Sequence, residues 1–103
     1  MDEILVELKK LGAFAAYAWS HAPADNYGVI AIDGQTALRA GDRLAEKVPE
    51  GTIDWFTRSP ASTMPGEVES LLDRLGASWY LNSVQFEEDT GYIHYEWVVQ
   101  VCG

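Results

Sequence analysis

The chain has 103 residues, and 16 acidic against 7 basic side chains give it a formal net charge of −9. Phosphate binding requires clustered Lys and Arg, whereas here they are scattered (Lys9, Lys10, Arg39, Arg43, Lys47, Arg58, Arg74). That balance argues against sequence-specific nucleic-acid binding and against anionic membranes. No apolar run approaches the roughly 20 residues of a membrane span. The opening MDEILVELKK carries acids where a secretory signal carries bases, so no export is expected. One cysteine cannot form an internal disulfide, which points to a reducing compartment. The length fits a single domain over residues 1–103.

In chain order, Ile4, Leu5, Leu8 and Leu11 share one helical face up to Gly12. Residues 13–23 are ambiguous: Ala13, Ala15, Tyr17 and Trp19 alternate as in a strand, and Pro23 bars helical continuation. YGVIAI (27–32) reads as a buried strand, and DGQTALRAG (33–41), bounded by glycines, as a loop or an exposed strand extension. DRLAEKV (42–48) and TIDWFT (52–57) read as a hairpin turning at Pro49–Gly51. RSPASTMPGE (58–67) reads as a connecting loop. Val68, Leu71, Leu72 and Leu75 then mark a helix closed by Gly76. SWYLNSVQF (78–86) and YIHYEWVVQV (92–101) flank the hairpin loop EEDTG. Helix, strand, hairpin, helix, hairpin predicts an α+β fold, a mostly antiparallel sheet of four to five strands packed with two helices.

The last strand places Ile93, Tyr95, Trp97, Val99 and Val101 on one face, expected to be the core. Tyr92, His94, Glu96, Val98, Gln100 and Cys102 fall on the other. His94 and Glu96 could supply two metal ligands, but a zinc site needs three or four, and the only other histidine is His21. A polar sheet face with a hydrogen-bonded His94–Glu96 pair is the simpler reading. Cys102 sits beside the chain end in an acidic protein, without the held base and positive surroundings of a nucleophilic thiol. Ser20 and His21 are only sequence neighbours. The acids of EEDTGYIHYE lack the calcium-loop pattern. Trp55, Phe56, Trp79 and Tyr80 could line a pocket, though strand aromatics more often form core or interface.

AYAWSHAPADNYGVIAI, then DRLAEKVPEGTIDWFT, then GEVESLLDRLGASWYLNSVQFEEDTGYIHYEWVVQV resemble in order the small tail-terminator, or minor tail, proteins of long-tailed bacteriophages, as found in phages of Gram-positive hosts. The likeness runs from about residue 10 to 101, with Asn26 standing where members often carry a second proline. It implies a non-enzymatic virion protein made in the host bacterial cytoplasm, without cofactor or metal. Such a subunit forms a homohexameric ring that caps the tail tube and joins it to the head. Its implied partners are its own copies, the major tail tube protein and the head-completion or neck proteins. An acidic lumen would let DNA slide. Gln35, Thr36, Leu38, Arg39 and Arg43 are the expected subunit or tail-tube interface. The alternatives are another neck or head-completion protein, or a small metal-dependent enzyme using His94 and Glu96.

Overall fold

The computed structural model describes residues 2–19, 25–40 and 43–100, through the backbone alone at residues 2 and 32–49. Seven elements follow in the order α1 (Asp2–Leu11), β1 (Phe14–Ala16), β2 (Asn26–Ala40), β3 (Arg43–Thr57), α2 (Met64–Arg74), β4 (Ser78–Glu87) and β5 (Tyr92–Gln100). They form an α+β fold of two helices and one five-stranded mixed sheet, ordered β1-β2-β3-β5-β4. β1 runs parallel to β2. The β2–β3, β3–β5 and β4–β5 pairs are antiparallel.

One face of the sheet makes the core because side chains alternate along each strand. Ile30 of β2, Ile53 and Trp55 of β3, and Trp97 and Val99 of β5 are buried together. Ile4 and Leu8 of α1 and Val68, Leu71 and Leu72 of α2 close over them. Burying each such aliphatic side chain contributes about 1.5–3 kcal/mol. Phe14 adds a second aromatic layer, stacked on Trp55 with centroids 5.1 Å apart. That ring occupies the space above Gly28, where any Cβ would collide with it.

α2 begins three residues before Glu67, inside the stretch expected to be a loop. Pro65 is tolerated there because the N–H groups of a first helical turn have no helical acceptor. The Ser62 hydroxyl accepts from the Met64 N–H at 3.2 Å. The far end is a Schellman closure: Ala77 N–H reaches Leu72 O at 3.0 Å and Gly76 N–H reaches Asp73 O at 3.1 Å. Gly76 takes φ +74° to allow it.

Two expectations need correction. Pro49–Gly51 is not a turn: β3 runs unbroken through it, and the chain reverses between Ala40 and Arg43. Pro49 fits because β3 pairs with β5 only from Glu50 onward, so at Pro49 only the β2 side carries a described ladder. Of the two readings offered for 33–41, a loop or a strand extension, the second is the one found: Gln35 to Arg39 lie in strand β2. The alternation expected through Trp19 stops after β1, where Tyr17 adopts φ 65° and its N–H bonds Ile30 O at 2.8 Å.

Candidate functional site

The sheet face opposite the helices is not simply polar. Tyr27 of β2, Phe56 of β3 and Tyr92 and His94 of β5 meet there, brought side by side by the registers Tyr27↔Phe56 and Phe56↔His94. Tyr27 stacks on Phe56 with centroids 4.7 Å apart, and Phe56 stacks on His94 at 4.2 Å. Tyr92 meets both tyrosine and phenylalanine edge-on. The Arg58 guanidinium lies 4.5 Å from the Tyr92 ring centroid. Its Nε donates to Thr90 O at 3.1 Å, tying the β3 exit to the β4–β5 turn. Tyr92, assigned by its parity to the exposed face, is thereby buried.

His94 is engaged, but not by Glu96. Its Nε2 lies 2.6 Å from Asp54 Oδ1, and its Nδ1 lies 3.7 Å from Glu87 Oε2. The hydrogen bond to Asp54 is the main reason its pKa is raised; burial opposes the rise, and the charges of Asp54, Glu87 and Glu96 add to it. Glu96 instead accepts from Asn82 Nδ2 at 2.6 Å. The expected His94–Glu96 pair is therefore replaced by a His94–Asp54 pair, because β3 and β5 set Asp54 opposite Glu96 and two positions from His94's partner Phe56, on the same face. A zinc ligand must offer a free neutral imidazole nitrogen, whereas the Nε2 of this ring is engaged by Asp54 at 2.6 Å. Among the described residues no three His, Cys, Asp or Glu side chains are grouped to hold a metal ion. His21, Ser20 and Cys102 lie outside the described residues.

The strand aromatics divide. Trp55 is in the core and Phe56 is in the open-face cluster. Trp79 packs against the core edge, its Nε1 donating to Asp73 Oδ1 at 2.8 Å. Tyr80 is exposed. A cleft of about 550 Å³ runs beside the start of α2, lined by Asn26, Ser59, Ser62, Thr63 and Glu67 over Trp55 and Met64. Within it the Thr63 hydroxyl donates to Glu67 Oε2 at 3.2 Å, while His94 bonds Asp54 on the other side of the sheet from Trp55.

Two features suited to macromolecular contact remain. Beyond Glu50 and Gly34 the β2–β3 hairpin continues as an arm, Gln35–Ala40 against Arg43–Pro49, with pairs such as Thr36↔Val48 and Arg39↔Leu44. Among the described residues, β5 stops short of this arm at Gln100. All five interface candidates, Gln35, Thr36, Leu38, Arg39 and Arg43, belong to it. The molecule accordingly measures 46 × 26 × 25 Å. At the other side of the sheet, edge strand β4 exposes Tyr80, Leu81, Val84 and Phe86. The sequence reading took this strand as a hairpin partner and missed its edge position, which only the strand order reveals.

Comparison of the chain with protein-family models and with curated proteins finds no match. Among the described residues no helix is long and apolar enough to cross a membrane.

Proposed function

We propose that this protein is a structural subunit of a bacteriophage neck, of the tail-terminator type, which assembles into a ring that caps the tail tube and meets the head-completion proteins. The reading takes its family from the order of sequence segments and its mechanism from surface complementarity repeated by symmetry. The observation that carries it is the arm. A two-stranded ribbon is marginal by itself in water, and this one leaves the sheet carrying every candidate interface residue. Such a ribbon is expected to gain its order by lying against another subunit or the tube.

The engagement of His94 by Asp54 at 2.6 Å, and of Glu96 by Asn82 at 2.6 Å, supports a binding role over a metal-dependent enzyme using His94 and Glu96. Under this proposal the ring ends tube growth by covering the last tube ring. The test is electron microscopy of tubes grown from the major tube protein encoded next to this chain, with and without the protein present. Shorter tubes bearing a ring at one end are expected. Tubes of unchanged length with bare ends would refute the proposal.

A further inference from the structure

We infer that the arm of one copy adds as a strand to the β4 edge of the next copy, so that neighbouring sheets are joined by a β-ladder contributed by a second molecule of this chain. The inference rests on the self-assembly proposed above and names the two surfaces that meet.

Charge points to this pairing. Segment 35–49, the arm and its turn, holds three basic and two acidic residues, a net +1 in a chain of −9, so the other 88 residues carry −10. The arm is therefore attracted to the body of another copy while the bodies repel each other. Arg39 and Arg43 stand at the reversing end of the arm, by the register Arg39↔Leu44 and Ala40↔Arg43. Glu88 and Asp89 are exposed at the turn that ends β4. Pairing these two ends would set the direction and register of the contact.

The edge itself is receptive. Natural edge strands are usually protected by charges, proline, bulges or brevity, and of these the first nine residues of β4 carry only a bulge. β4 has ten residues, and its first nine, SWYLNSVQF, include neither a charge nor a proline. Among the described residues it pairs only with β5. A bulge at Asn82 interrupts the ladder, between Leu81 and Ser83, and on either side of it Leu81, Val84 and Phe86 stay exposed, Phe86 at 65%. These three flank the uncovered margin of the core face. The arm has matching length: Arg43–Pro49 of β3 spans about 20 Å at the strand rise of roughly 3.3 Å. Its sequence includes the apolar residues Leu38, Leu44 and Val48.

Because arm and edge are different surfaces, each copy donates one and receives one. Such head-to-tail contacts close into a ring when the rotation per step closes. Exposed charge pairs add little by themselves; here they direct the approach, while backbone pairing and apolar burial hold it.

The test uses the full chain with Cys102→Ser. One batch carries Lys47→Cys in the arm, and a second, with a different tag, carries Gln85→Cys on β4. The two are mixed and treated with a short bis-maleimide. The expected product is the mixed arm-to-edge dimer, with arm-to-arm and edge-to-edge products minor. Adding Val84→Glu and Phe86→Glu to the edge batch should abolish it, with circular dichroism unchanged. Arg39→Glu with Arg43→Glu in the arm batch should cut the yield about tenfold. Glu88→Lys with Asp89→Lys in the edge partner should restore it. An oligomeric wild type whose cross-links are arm-to-arm, edge-to-edge or missing overturns this inference alone. A wild type that stays a single copy overturns the proposed self-assembly as well.

Discussion

The two halves of the β2–β3 hairpin make the most instructive comparison in the molecule. In the half at Asn26–Ile32 and Gly51–Thr57, β3 is paired on both sides, and Ile30, Ile53 and Trp55 lie under helices. The half at Gln35–Ala40 and Arg43–Pro49 has the same antiparallel ladder and, among the described residues, no third strand. The first half is held by layers of apolar contact, and the second by its own ladder. Sequence follows that division. The inner half reads YGVIAI and TIDWFT, while the outer half reads QTALRAGDRLAEKVP and carries three of the seven basic residues. A shared ladder thus joins a half packed into the core and a half that the proposed assembly assigns to contact.

Substitutions should separate the two halves, starting with the core that anchors the inner one. Trp97 is fully buried beside Ile53, and its Nε1 donates to Glu69 at 2.9 Å. Trp97→Ala should cost about 3–5 kcal/mol in urea unfolding, enough to unfold much of a domain this size. Next comes Gly28→Ala, which forces a Cβ into the Phe14 ring and should cost about 1–3 kcal/mol by overpacking. A variant as stable as the parent would mean that Phe14 does not cap β2 as described.

The open face of the inner half should respond to pH. The pKa of His94 is raised in the fold, first by its hydrogen bond to Asp54. A group with a raised folded pKa binds more protons folded than unfolded, so its stabilisation is fully present below about 6.5, the unfolded histidine value. It fades as pH rises through the folded value. Thermal unfolding from pH 5.5 to 8.5 should show this loss in the parent and a flatter profile in His94→Asn. Parallel profiles would remove the charged pair. The smallest effect on the fold is expected in the outer half. Arg39→Glu with Arg43→Glu should leave single-copy stability within about 0.5 kcal/mol, while assembly weakens about tenfold. A large drop in stability would make the arm part of the fold and not a contact.

Much of the inner half was legible because local pattern and global position agree there. The period of two in YIHYEWVVQV put Trp97 and Val99 in the core, where they are. The spacing of Val68, Leu71 and Leu72 marked the buried face of α2, with Gly76 as its stop. The errors arose where one residue type serves two purposes. Pro-Glu-Gly is turn chemistry, yet Pro49 also suits a strand at the point where its second neighbour ends. Pro65 likewise looked like a loop marker while opening a helix. The open-face cluster was illegible for another reason: Asp54 and His94 lie 40 positions apart, and only the β3–β5 register joins them. Leu38 and Arg39 lie in a glycine-bounded segment that local pattern left open between loop and strand extension, and the β2–β3 register decides for strand. The edge position of β4 carried no local signal at all, since strand order is a property of the whole sheet.

The assembly itself is tested most directly by native mass spectrometry of the full chain beside its Arg39→Glu, Arg43→Glu variant. For a protomer of 11.4 kDa, a six-copy species is predicted for the parent, and for the variant the same species only at about tenfold higher protein concentration, both equally folded by circular dichroism. A parent that remains a single copy, or a variant that assembles as the parent does, would contradict the account.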